Sequence, residues 1–272
     1  MQLLAEKGYL VLAQNSGDTD YVQMARALAQ SIRAVEPQTQ ICLLTDVDVP
    51  VGEEFDLVTL FPFGDHARGS TWKLQNDWQC FYASPFRETI KLEADMLIPT
   101  NISHWFDICC QRPVVLTHGA RNYLGEPSDR RDYRRVFDAN DLPDIYNAVT
   151  YWRRSQEARE FFDTVRSIFE SWAEVMSVLK YTQDEPLNTD LAYAIAAKIL
   201  GPDRFRLPGN VPSIVHMKPA INGLVSEDWT KELVWELEPG SVRINTIQQL
   251  WPVHYHVKTF VDEIIRSHGR TT

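Results

Sequence analysis

Residues 8–13 form a short apolar run that ends in a polar turn, residues 14–20. A helical period follows at once, with Tyr21, Met24, Ala25, Leu28, Ile32 and Val35 at three- and four-residue spacing and Pro37 just past the end. Further apolar runs at 40–44 and 57–60 repeat the strand unit. Strands alternating with amphipathic helices suit a parallel sheet, whose connections must cross back over its face. The expected fold class is therefore α/β, with a Rossmann-like, mostly parallel central sheet flanked by helices. In such sheets ligands bind beyond the carboxyl ends of the strands.

The remaining segments extend this reading. A helix is expected over 72–82, a strand over 91–98 and another over 113–117. Residues 118–144 are polar, arginine-rich and without a clear apolar period, too long for an idle connector. A strand over 145–152 precedes a strongly amphipathic helix over 157–176, with Phe161, Phe162, Val165, Ile168, Phe169 and Trp172 on its buried side. A helix over 187–200 stops at Gly201-Pro202. A small C-terminal extension is expected, a β-hairpin over 233–244 turning at Pro239-Gly240 and a short helix near 260–266. No repeat or internal boundary is evident, so the 272 residues read as a single domain.

Composition narrows the function classes. No apolar run approaches a membrane span and no leader-like start is present, which predicts a soluble, cytoplasmic protein. Four cysteines without CxxC spacing read as reduced structural thiols. A net charge of −10 argues against general attraction to nucleic acid or anionic membrane. Against that background Arg121, Arg130, Arg131, Arg134 and Arg135 concentrate positive charge in the middle of the chain. They form either a solvated, salt-bridged segment or a surface for an anionic partner.

The strongest chemical signal is Leu92-Glu93-Ala94-Asp95-Met96-Leu97. On an extended backbone Glu93 and Asp95 point the same way, and carboxylates in an apolar run are seldom left unpaired. Hard oxygen ligands of this kind suit Mn²⁺ or Mg²⁺ carried on a diphosphate. Asp46-Val47-Asp48 has the similar DxD form but leads into Val49-Pro50, which marks a strand exit into a loop and ranks it lower. A further ligand is offered by Val253-His254-Tyr255-His256-Val257-Lys258, which puts two histidines on one strand face beside a lysine.

The order of these pieces, over roughly residues 8 to 220, resembles the GT-A glycosyltransferases, in particular the family of glycogenin and the bacterial lipopolysaccharide galactosyl- and glucosyltransferases. Lys73-Leu74 ahead of Leu92-Glu93-Ala94-Asp95-Met96-Leu97 resembles its lysine-bearing helix and "hydrophobic, Asp-x-Asp, hydrophobic" strand. Tyr146-Asn147-Ala148-Val149 is similar to "Phe-Asn-Ala-Gly-Val", and Gln183-Asp184-Glu185-Pro186-Leu187-Asn188 to "Asp-Gln-x-x-Leu-Asn". Residues 214–219 look like a shortened "His-x-x-Gly-x-x-Lys-Pro". This chain departs from the pattern in carrying Glu93 for the first Asp and Val149 for the Gly.

The resemblance implies a metal-dependent glycosyltransferase moving a sugar from a nucleoside-diphosphate sugar, UDP-linked, to a hydroxyl acceptor with retention of configuration. Its nucleotide-sugar part would be about 1–117 and its acceptor side about 118–272. Ala13, Asn15, Tyr21, Lys73, Glu93 and Lys218 would contact the donor. Glu93, Asp95 and His216, or His254 or His256 in its place, would hold Mn²⁺ or Mg²⁺. Asp184, Asn188 and Asn147 would serve the reacting sugar. The acceptor would be a glycan, a lipid-linked sugar or, in a phage-type alternative, a hydroxylated DNA base gripped by the arginines with Tyr123 and Tyr133 stacking on it. An inactive nucleotide-sugar-binding module is the other alternative. A sugar-1-phosphate nucleotidyltransferase ranks last, because residues 12–17 lack a basic, Gly-rich phosphate loop.

Overall fold

The computed structural model describes residues 5–268 apart from 18, 51, 71–72, 132 and 183–186. In chain order the strands are β1 Ala5–Leu12, β2 Ile41–Thr45, β3 Leu57–Leu60, β4 Phe86–Glu93, β5 Met96–Leu97, β6 Val114–His118 and β7 Ala120–Arg121. They continue with β8 Pro127–Ser128, β9 Ile145–Arg153, β10 Val215–His216, β11 Trp235–Glu238, β12 Ser241–Ile244, β13 Ile247–Gln248 and β14 Val253–His254. The central sheet has the order β3-β2-β1-β4-β9-β6. Its first four strands are mutually parallel and β9 runs against both neighbours. This is the mostly parallel α/β architecture expected.

Alternation along the buried strands feeds two cores. Tyr9 and Val11 of β1 pack with the Tyr21–Val35 helix on one face. Leu10 joins the other, where Trp152, Phe161, Phe162 and Tyr193 pack with the helices Gln156–Glu170 and Thr189–Leu200. β1 must lie close to β4 at Gly8, where a Cβ would stand 2.5 Å from the Phe86 ring. Any larger residue there would collide with that ring.

Local differences from expectation have physical causes. Residues 73–79 form a 3-10 helix rather than an α-helix, continued by the α-helix Cys80–Ala83. The side chains of Asn76, Asp77 and Gln79 are buried in it, held by tertiary hydrogen bonds that compete with regular helix geometry. The long helix breaks at Ser171 into Gln156–Glu170 and Trp172–Val178; the second piece has no fully buried residue, and its Trp172, Val175 and Met176 are half-buried against the core. The predicted strand over 91–98 turns at Ala94-Asp95, so that β5 leaves the central sheet and pairs with β14. The second sheet, β5-β14-β10-β7-β8, thereby abuts the end of β4. The C-terminal hairpin forms from β11 and β12 as expected. Among the described residues no helix is long and apolar enough to cross a membrane.

Candidate active site

Strand order in the central sheet reverses between β1 and β4, since β2 and β3 extend one way from β1 and β4 and β9 the other. That makes their carboxyl ends the switch-point crevice where ligands bind in open α/β sheets. Leu12 is in register with Glu93, so residues 13–15 and Glu93 leave the sheet side by side. Asp95 follows in the turn, with its carbonyl accepting the Tyr255 amide at 3.1 Å. The acidic pair therefore converges through a turn between two sheets, a correction to the simple strand alternation read from sequence.

His254 enters from β14, directly opposite Met96 and beside His216 of β10. Its Nε2 lies 2.9 Å from Asp95 Oδ2 and 3.6 Å from Glu93 Oε2. Lys258 makes an ion pair with the same Asp95 oxygen while its ammonium stands 5.2 Å over the Tyr21 ring. Burial pushes Glu93 up, and the Asp95 charge adds to it against His254. Asp95 is also disfavoured by burial, yet the His254 and Lys258 charges hold it well below the usual carboxylate range. Burial opposes the His254 charge, but Asp95 raises it overall. His216 is pushed well below its ordinary range by burial and by His254.

Glu93, Asp95 and His254 are the one group of three or more His, Cys, Asp or Glu among the described residues whose donor atoms all lie within 4.8 Å of one another. Two carboxylates and an imidazole form a donor set that fits Mn²⁺, which accepts nitrogen as well as oxygen. The three histidines named from the sequence stand differently towards the acidic pair. His254 meets the carboxylates, whereas His216 sits behind it at 4.7 Å between ring centroids. His256 leaves the strand in a left-handed conformation, φ 62, so the expected shared strand face does not form. Lys258, not Lys218, is the lysine on the acidic pair; the Lys218 ammonium faces the Tyr133 ring at 5.3 Å. The signal for Lys258 was its position four residues after His254.

Other expected site residues fall in several places. Ala13 is buried at the end of β1, and its amide donates to the Leu44 carbonyl at 3.0 Å. Asn15 is exposed and accepts the Val22 amide at 3.0 Å, while Tyr21 opens the helix. Lys73 donates to the Ala67 carbonyl at 3.1 Å. Asn188 caps the Thr189–Leu200 helix by accepting the Leu191 amide. Asp184 lies outside the described residues. Asp46, of the lower-ranked DxD, stands in an exposed bend and accepts from Gln14.

Asn147 differs from expectation. Its side chain is buried, donating to Asp77 at 3.2 Å and accepting from Thr150 at 3.1 Å, so its amide is used inside the core rather than on a ligand. What faces the rim there is Asp190, unremarked in the sequence, which accepts the Asn147 backbone amide at 2.7 Å and pairs with Arg134 at 3.3 Å. A register shift in the β6–β9 pairing, between Leu116 and Thr117, opens β9 at this point. Bulges of this kind re-aim strands beside functional sites.

The arginine segment is mostly committed internally. Arg134 is buried between Asp144 and Asp190 and stacked on Tyr146 and Phe137. Arg121 stacks on Trp251 at 4.4 Å and donates to Ser213 and Gly125. Arg131 pairs with Asp138 at 2.9 Å. Arg130 and Arg135 remain exposed. The five therefore do not form one phosphate-gripping face.

No protein-family model matches the sequence, and no curated protein matches it. Solved structures do. The galactosyltransferase LgtC, in complex with donor and acceptor sugar analogs, superposes with a TM-score of 0.57 at 11% identity, over 97% of this chain and 96% of that one. An active-site mutant of LgtC gives 0.53 at 12% identity, over 96% and 95%. The glycosyltransferase GlyE of Streptococcus pneumoniae TIGR4 gives 0.43 at 11% identity; 74% of this chain spans 45% of GlyE. At these identities the likeness is one of architecture, and the chain has the GT-A fold expected from its motifs, with LgtC matched over nearly its whole length.

Proposed function

We propose that the chain is a metal-dependent glycosyltransferase that moves a sugar from a nucleoside-diphosphate sugar, UDP-linked, to a hydroxyl acceptor with retention. The observation that carries this reading is the convergence of Glu93, Asp95, His254 and Lys258 at the switch point of a GT-A sheet. Glu93, Asp95 and His254 would hold the divalent cation. When bound, that ion supplies Lewis acidity to the departing diphosphate oxygen.

The chain's own residues divide the remaining work. Lys258 neutralises Asp95, and its flexible stem would let the ammonium reach a diphosphate held beside the acidic pair. Tyr21 and residues 13–15, beside Glu93 at the end of β1, would receive the nucleoside. Asp190, partly exposed at the start of its helix, would accept a hydroxyl of the donor sugar, with Asp184 and Asn188 on the segment leading to it. The internal pairing of Arg121, Arg131 and Arg134 favours a glycan or lipid-linked sugar over a DNA base as acceptor.

A thermal-shift screen of nucleotide sugars with and without Mn²⁺ tests this, because a ligand of the folded form raises the melting temperature. A shift that requires both Mn²⁺ and the sugar nucleotide is expected, with slow donor hydrolysis in the same mixture. Binding without any hydrolysis or transfer would leave only the inactive module; no shift with any sugar nucleotide would end the proposal. The anomeric configuration of the product, read by NMR, tests retention.

A further inference from the structure

The acidic pair is served by more histidine than one cation needs. Ring centroids of His216, His254 and His256 are separated by 4.7, 5.9 and 6.2 Å. Three imidazoles around one tetrahedral ion, with nitrogen–metal distances of about 2.0–2.1 Å, place their centroids roughly 5 Å apart. The cluster is close to that arrangement. Because a carboxylate only accepts, the contact to Asp95 puts a hydrogen on His254 Nε2 and directs its Nδ1 away from the acidic pair.

That Nδ1 is buried without a partner, and so is Nδ1 of His216, a residue only 4% exposed. Leaving such an atom unsatisfied costs about 1–3 kcal/mol each, which an apolar residue in the same place would avoid. His256 adds a left-handed backbone, φ 62, which is uncommon at a non-glycine residue.

We propose that His216, His254 and His256 form a second site, for a borderline transition-metal ion of the Zn²⁺ class, and that its occupancy excludes Mn²⁺ from the acidic pair. An imidazole whose far nitrogen donates to a carboxylate is the usual second-shell arrangement for zinc, and Asp95 supplies that carboxylate. Exclusion follows from the shared ring: zinc takes His254 Nδ1 with Nε2 protonated, whereas Mn²⁺ takes Nε2 itself. The three rings rotate to converge, since the donor atoms already within 4.8 Å of one another are those of Glu93, Asp95 and His254. Lys218 and Lys258 oppose a cation here and Asp95 and Glu93 offset them, which sets a modest affinity. Zinc binding stands independently of the proposed function; only its inhibitory consequence rests on it.

Equilibrium dialysis of the full chain with Zn²⁺, and the visible absorption of the Co²⁺ form, test the site. Wild type is expected to bind Zn²⁺ stoichiometrically and to give tetrahedral Co²⁺ bands. His256→Gly, which suits the left-handed backbone and so preserves folding, should weaken Zn²⁺ by about 10- to 100-fold. Glu93→Gln should weaken Mn²⁺ and keep Zn²⁺. Equal Zn²⁺ affinity in wild type and His256→Gly, or loss of Zn²⁺ in Glu93→Gln, overturns the proposal. If no sugar nucleotide binds yet zinc affinity still depends on His256, the zinc site stands and the transferase reading falls.

Discussion

Lys91 and Glu93 stand two residues apart on β4, and each belongs to a charged cluster, one closed inside the core and the other open at the sheet's end. Around Lys91, the Asp77 carboxylate accepts from the Lys91 ammonium, the Asn147 amide and the Tyr193 hydroxyl, contributions from four separate elements. Every charge there has its partner, and the cluster joins β4, β9 and two helical segments. Around Glu93, two carboxylates share one imidazole and one lysine, two ring nitrogens nearby are unpartnered, and Glu93 keeps a quarter of its side chain in solvent. Saturated buried polarity fastens a fold, whereas convergent and incompletely satisfied polarity at a strand end leaves donors for a ligand. On the proposed function, the first cluster holds the fold and the second carries the chemistry.

Asp95→Ala breaks the contrast most directly. Loss of the carboxylate should cut Mn²⁺-dependent donor turnover by at least about 10³-fold, roughly 4 kcal/mol of barrier, with the fold retained by circular dichroism. Turnover within tenfold of wild type in the presence of chelator would place the chemistry elsewhere. Lys91→Met is the counterpart. It leaves Asp77 buried and unpaired, and urea unfolding should show a loss of about 3–5 kcal/mol, where Asp95→Ala loses far less. Equal destabilisation by the two variants would erase the distinction.

How much of this was legible in the sequence follows the range of the forces involved. Strands at 40–44 and 57–60 and the helix from Tyr21 are written in local periodicity, and they form where expected. The acidic pair was legible because charge inside an apolar run is costly. Its geometry was not, since the Ala94-Asp95 turn is fixed by β5 pairing with β14, more than 150 residues away, a contact with no local trace. The same pairing brings His254 rather than His216 to the turn, although the two are equal as motifs. Asn147 and Arg134 were misplaced for a related reason: their partners, Asp77 and Asp190, come from distant elements that only the folded chain brings in.

The site's pH response sharpens the contrast at smaller amplitude. Asp95 raises His254 above its ordinary range, so this pair's contribution to stability is fully present below the unfolded histidine value and is lost as pH rises through the folded one. Asp95 is held low, so its contribution is present above the unfolded carboxylate value and is lost as pH falls through the folded one. Stability of the metal-free chain should therefore fall on the alkaline side of neutrality. Mn²⁺ affinity should rise over the same interval, because the ligand nitrogen must lose its proton. His254→Gln should flatten both curves when melting temperature and Mn²⁺ titrations are followed from pH 5 to 9; unchanged slopes would detach His254 from the pair.

The smallest expected effects belong to the two exposed arginines, Arg130 and Arg135, and they test whether the middle segment carries an acceptor. Arg134→Ala removes a buried guanidinium from two carboxylates and two aromatic rings and should destabilise strongly. Arg130→Ala and Arg135→Ala touch exposed side chains and should change stability by less than about 0.5 kcal/mol. If the acceptor is an uncharged glycan, the double variant should also keep its KM for acceptor and show little dependence on salt. A KM that rises severalfold, together with salt-sensitive binding to duplex DNA that the double variant loses, would revive the nucleic-acid acceptor, because each phosphate contact releases counterions and steepens the salt response. Two exposed arginines on a chain of net charge −10 provide too few such contacts to hold a duplex at physiological salt, which is why the near-silent outcome is the expected one.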